Sequence, residues 1–133
     1  MSWVYNMFLV FDASQKDMVH IILFYKEKKV DYNQPGKNRE LLQEVVTFLE
    51  KEGCKKEEIL GIAVVLGAGS FTSTRIAVTV ANSWAFAQSI PVLGITKEEM
   101  YNKESLISSF KKQSVGKYIT AEYSAEPNIG KKK

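Results

Sequence analysis

The stretch from Leu60 to Ile95, LGIAVVLGAGSFTSTRIAVTVANSWAFAQSIPVLGI, leaves this chain little choice of fold. An apolar run ends at Gly67 and Gly69, and a Ser-Phe-Thr step follows. Then comes a long apolar segment of helical period, and Pro91 leads a second apolar run. Strand, tight turn, helix, strand is one βαβ unit. Gly67 and Gly69 permit backbone angles that a Cβ forbids. Ser70 and Thr72 can cap the helix, Thr72 being the better placed N-cap, and the free N–H groups of a helix start suit an anion. The string lacks the Gly-Lys-Ser/Thr step of a Walker A loop, and Thr72 stands where a dinucleotide fingerprint has its third glycine. A turn that only packs is therefore the better supported reading, with a phosphate cradle left open beside it.

The elements on either side complete an α/β pattern. Met7 to Phe11 reads as a central strand, Met18 to Tyr25 as a second strand, Lys26 to Lys29 as a charged hairpin tip and Val30 to Asn33 as a short third strand. After Pro35-Gly36, Asn38 is a plausible N-cap for a helix running to about Glu52, with Gly53 as its stop. Its apolar face holds Leu41, Leu42, Val45, Val46, Phe48 and Leu49. A strand over Ile59 to Leu66, a helix over about Ser73 to Gln88 and a strand over Pro91 to Ile95 follow. Thr96 caps a third helix with an interruption near Asn102 and Lys103, and Lys117 to Tyr123 alternates as a last strand would.

On a wheel, the helix after the glycine turn carries Ile76, Ala77, Val80, Ala81, Trp84 and Ala87 on one side. Val78 and Ala85 widen that side, and Phe86 lies near the polar positions. A helix covering one face of a sheet needs an apolar arc of about 100°. This one has more, so it needs a second surface: the preceding helix or another protein. The small residues Ala77, Ala81 and Ser83 would let a further helix approach closely.

GAGSFTSTRIAVTVANSWAFAQSIPVLGI resembles the signature of the TsaB (YeaZ) family, in which a Gly-Pro-Gly-Ser-Phe-Thr-Gly-Leu-Arg-Ile step leads into a small-residue helix and a Gly-Ile-Pro strand. Gly67, Gly69, Ser70, Phe71, Thr72, Arg75 and Ile76 carry the match, followed by Ile90, Pro91 and Gly94. Upstream, MFLVFDAS keeps Asp12 and Ser14 of the family's first strand. The departures are Ala68, Ser73 and Thr74. The resemblance implies an actin-like ATPase (ribonuclease H-like) domain, with a mixed five- or six-stranded sheet and flanking helices. It implies a single domain over residues 1–125, of the N-terminal type in a family whose members usually have two, and a basic tail over 126–133.

It further implies a non-catalytic subunit that binds and activates a TsaD-like ATPase in formation of N6-threonylcarbamoyladenosine at position 37 of tRNA. The pairing would run through two helices, which points to Leu41, Leu42, Val45, Phe48, Leu49, Ala77, Val80, Ala81 and Trp84 as partner-binding residues. A homodimer through the same helices and a weak tRNA contact through Lys131, Lys132 and Lys133 are the further expected partners. No catalytic residue, metal or cofactor is expected. The rival readings are a small nucleotide- or phosphate-binding module built on the glycine turn and Asp12, and a peptidase, which the older glycoprotease label suggests.

Composition narrows these classes. At 133 residues, 45% of them hydrophobic, the chain makes one ordinary globular core. A net charge of +3 does not by itself call for nucleic acid. No apolar stretch reaches the length of a membrane span, and the N-terminus does not read as a secretory leader. A single cysteine, Cys54, fits a reducing cytoplasm. His20, the only histidine, sits inside a strand pattern with no nucleophile–base arrangement near it, which makes a peptidase the weakest reading. Asp12 is better read as a turn residue than as a ligand for phosphate. Arg75 opposes the dipole at a helix start and calls for an acidic partner, with Glu122 and Glu126 as candidates.

Overall fold

Runs of consecutive apolar residues in strands must be covered on both faces, and two such runs, Phe8 to Phe11 and Ile62 to Val65, lie side by side inside the sheet of this molecule. The computed structural model describes residues 7–15, 17–25, 28–36, 40–67 and 71–120. β1 (Phe8–Asp12) and β4 (Ile62–Val65) are buried at every position and pair in parallel, Leu9 opposite Ile62. β2 (Met18–Tyr25) runs antiparallel to β1 with Phe8 opposite Phe24, and β3 (Lys28–Pro35) runs antiparallel to β2. β5 (Val92–Ile95) is parallel to β4, giving a five-stranded sheet of order β3-β2-β1-β4-β5.

Alternation along the strands divides the core in two. Leu9, Phe11, Ile21, Leu23, Ile62 and Val64 face helices α1 (Leu41–Lys51) and α2 (Phe71–Gln88). Phe8, Val10, Ile22, Phe24, Ala63 and Val65 face α3 (Lys103–Lys112), where Phe8 stacks on Phe24 at 4.7 Å and meets Phe110 at 5.1 Å. Among the described residues this is a mixed five-stranded sheet with flanking helices, the lower of the two strand numbers that the resemblance implies.

Helix ends follow local chemistry. α1 closes on Gly53, at φ +73°, with Gly53 N–H donating to Glu50 and Cys54 N–H to Leu49, the paired bonds of a Schellman stop. α2 ends in the same way, except that Ser89 holds the left-handed position at φ +56° while Ile90 N–H reaches Ala85. Ala77, Ala81 and Ala85, one turn apart along α2, have no exposed surface, so the helix lies close to the sheet.

Several boundaries differ from the sequence reading. β3 runs the full length of its partner rather than Val30 to Asn33, because β2 offers it eight register positions. α2 begins at Phe71, so Thr72 lies inside the first turn and is not the N-cap. The third helix is two elements. Thr96 opens a 3-10 turn over Lys97–Glu99, closed by the Glu99 carboxylate on Thr96 N–H, and Asn102 then caps α3 by accepting from Ser105 N–H. Lys117 to Thr120 is not a strand. The Asn82 side-chain amide takes both backbone groups of Ile119, donating at 2.9 Å and accepting at 3.1 Å, where a strand ladder was expected. At the β5 edge, Gln113 Nε2 donates to the Val92 carbonyl at 3.0 Å. Asn38, the end of the charged hairpin tip nearest β2 and residues 121–133 lie outside the described residues.

Two substitutions test this packing. A Cβ at Gly61 would stand 2.7 Å from the Phe110 ring, so Gly61→Ala should destabilise the fold by about 1–3 kcal/mol in urea unfolding by displacing α3. Ser89→Gly relieves a left-handed serine and should raise stability by up to about 1 kcal/mol in the same assay.

Candidate functional site

Seating three alanines on the sheet turns the rest of α2 outward. Thr79, Ser83 and Ala87, again one turn apart, are exposed along its outer side. Leu42 and Val46 of α1, 53% and 38% exposed, stand across from them. Between the two helices lies an open groove of about 470 Å³ lined by Leu42, Val46, Val80, Ser83, Trp84 and Ala87. Gln88 Nε2 donates to the Lys56 carbonyl beside it. The Trp84 indole N–H is buried and has no hydrogen-bond partner among the described residues. An unmet buried donor costs about 1–3 kcal/mol. Past Ser83, Phe86 and Tyr118 extend the apolar surface at 72% and 46% exposure. Large apolar side chains grouped this way on a soluble surface are a mark of an interaction site.

The nine residues expected to meet a partner divide by burial. Leu41, Val45, Phe48, Leu49, Ala77 and Ala81 are core residues, and Trp84 is 7% exposed at the groove. Leu42 and Val80 line the open groove. The close approach assigned to Ala77 and Ala81 is made to the sheet, and Thr79, Ser83 and Ala87 are the small residues left free for a second helix. Val46, Phe86 and Tyr118, outside the expected set, are exposed on the same side of the molecule. Val46 was legible as part of the α1 apolar face. Tyr118 depends on a tertiary contact.

The motif turn is described only in part. Gly67 takes φ +80°, a left-handed angle that suits glycine, while Gly69 and Ser70 lie outside the described residues. Phe71 begins α2, and Thr72 and Arg75 are exposed on it. The candidate acidic partners Glu122 and Glu126 also fall outside the described residues.

A second cluster, at the end of β1 on the α3 side, joins residues far apart in sequence. Asp12 is buried, and its carboxylate is saturated. Oδ1 accepts from Ser14 N–H at 3.0 Å, and Oδ2 accepts from His20 Nδ1 at 3.1 Å and Lys97 Nζ at 2.9 Å. Lys97 also donates to Ser14 Oγ. The far side of the same ring, Nε2, lies 3.0 Å from Asp31 Oδ2 on β3. Asp31 is held in turn by Lys29 at 2.9 Å and the Tyr101 hydroxyl at 3.1 Å.

A neutral imidazole has one N–H, so bonding to two carboxylates requires the doubly protonated ring. Burial alone would push the Asp12 carboxyl up, but the bonds from His20, Ser14 and Lys97 outweigh it and hold it well below the usual carboxylate range. The bond to Asp12 raises His20 against the lowering effect of burial, and Asp31 adds to the rise. With both nitrogens committed, His20 has no site to accept a proton from a nucleophile. Asp12, expected in a turn, is the last residue of β1, where its carboxylate accepts from Ser14 N–H as the chain leaves the strand; its ion pairs have no counterpart in the sequence reading. Its pairing with His20 follows from hairpin register, whereas its bond to Lys97 joins the two ends of the sheet's connectivity and has no sequence signal.

Three comparisons bear on this architecture. The family described as "TsaD: tRNA N6-adenosine threonylcarbamoyltransferase" matches residues 37–113, more than half of the chain. YeaZ from Pseudomonas aeruginosa superposes with a TM-score of 0.61 at 27% identity, covering 68% of this chain and 44% of that one. A structure described as an uncharacterized protein with similarity to peptidase YEAZ from Pseudomonas aeruginosa gives the same identity and TM-score, covering 68% of this chain and 43% of that one. No curated protein matches. The chain thus spans less than half the length of these solved relatives. Profile match, shared actin-like sheet and the run from Gly67 to Gly94 agree, and the chain belongs to the TsaD family, with the YeaZ (TsaB) proteins among its relatives.

Proposed function

We propose that this chain is a non-catalytic, YeaZ-type subunit that binds a TsaD-like ATPase and supports formation of N6-threonylcarbamoyladenosine in tRNA. The observation that carries the reading is the open groove between α1 and α2 with its stripe of small residues. Helices pack at 8–10 Å, with the spacing set by the side chains at the contact. Thr79, Ser83 and Ala87 permit the short end of that range, and Leu42, Val46 and Val80 supply apolar contact beside them. The groove is lined wholly by residues between Leu42 and Gln88.

The same surface would serve a homodimer, so partner and second copy compete for it. The lysines at 131–133 offer at most a point-charge contact to a tRNA backbone. Among the described residues no helix is long and apolar enough to cross a membrane, and a cytoplasmic site of action belongs to this proposal. The saturated Asp12 carboxylate and the doubly bonded His20 support a role without chemistry of their own.

The test is light scattering after size exclusion, on the chain alone and mixed with the TsaD-like protein of the same genome. A complex should form, and the chain alone should give no heat on titration with ATP and magnesium. A monomer in both runs overturns the reading. Ser83→Arg and Leu42→Glu, both on exposed positions, should weaken the complex by roughly 100-fold while leaving the circular dichroism spectrum unchanged. Trp84→Glu is the contrasting case. It places a carboxylate at a position that is 7% exposed and should lower the melting temperature as well.

A further inference from the structure

The Asp12–His20–Asp31 cluster is separate from the helix groove and is not used by the proposed pairing. It links β1, β2, β3 and the turn after β5, and it borders a cleft of about 240 Å³ lined by Gln15, Asn33, Lys97 and Tyr101 among others. We propose that the imidazolium of His20 is a pH-operated latch that holds Tyr101 and the turn after β5 against the edge strand β3.

The two sides of the latch are unequal. Asp12, its side chain 2% exposed, keeps Ser14 N–H and Lys97 whatever the state of His20. When the ring loses a proton, the remaining N–H stays with this more buried carboxylate. The Nε2 lone pair then faces Asp31 Oδ2 at 3.0 Å, a contact between two acceptors. Asp31, its side chain 33% exposed, can turn toward water and Lys29. Tyr101 donates to the same Oδ2 and moves with it, and Lys29, 4.7 Å above the Tyr101 ring, loses its alignment too. The Lys97–Asp12 bond remains as the hinge.

The charges facing His20 are Asp12 from β1, Asp31 and Lys29 from β3, and Lys97 from the turn. Glu99 is turned back onto Thr96 N–H. The sign follows from these groups. His20 is raised in the folded chain, so the latch is fully closed below the ordinary histidine value near 6.5 and opens as pH rises through the higher folded value. Asp12 and Asp31 are lowered, so their contribution is complete above the ordinary carboxylate value and fails only as pH falls through their lowered values.

His20 is the only histidine in the chain, so its ring signals in NMR are unambiguous. In the full chain they should titrate above the ordinary value, and the Tyr101 ring signals should shift with the same midpoint. Asp31→Asn, at a partly exposed site, should lower the His20 midpoint and leave Tyr101 without a step. His20→Gln should abolish the Tyr101 step while the fold persists. A His20 midpoint at or below the ordinary value overturns the proposal. So does a Tyr101 signal that stays flat through that midpoint, or an Asp31→Asn midpoint equal to that of the unchanged chain.

Discussion

The contact between the alanine stripe of α2 and the sheet governs how the rest of this molecule is arranged. With Ala77, Ala81 and Ala85 pressed onto Ile62 and its neighbours, the helix has one rotation available. That rotation puts Trp84 and Val80 toward α1 and exposes Thr79, Ser83 and Ala87. Larger residues in the stripe would lift the helix and close the groove. The apolar excess seen on the wheel is therefore divided between the sheet, α1 and an open surface.

The sheet and its helices were legible because each carries a strong period. β1 as far as Phe11 and the whole of β4 are uninterrupted apolar runs, the mark of strands covered on both faces. The glycine turn and Pro91 delimit α2 and β5. What the period could not settle was which apolar face went where. Leu41 and Leu42 are neighbours in sequence, yet one is 1% and the other 53% exposed. A helix whose apolar arc exceeds what a sheet can cover does not say, from its own residues, which part stays open. The false strand at Lys117 has a similar cause. Alternation marks a segment that one face will bury, and Ile119 is partly buried against the core, but its backbone found a side-chain amide rather than a strand.

The polar cluster shows the opposite kind of legibility. Asp12 and His20 were visible one by one and ordinary in isolation. Antiparallel register places them across from one another, and the crossovers that build the parallel half of the sheet deliver Lys97 to the same spot, 85 residues away in sequence. Two carboxylates and three cations then satisfy one another where the α3-side core ends. Asp12 and Ser14, which belong to the family resemblance, are joined in this network to His20, Asp31 and Lys97.

The two borders of the sheet complete the picture. An exposed strand edge is a template for uncontrolled pairing. β3 begins with Lys28 and Lys29 and ends at Pro35, which lacks an N–H. β5 is only four residues long, and Gln113 occupies the Val92 carbonyl. Both borders are therefore poor templates, and Leu42, Val46 and Phe86 place exposed apolar side chains on the helix face instead. Strand edges of this kind protect a chain from growing into open-ended sheets, and pairing through the proposed helix face would be one partner at a time, by side chains that can be matched or refused.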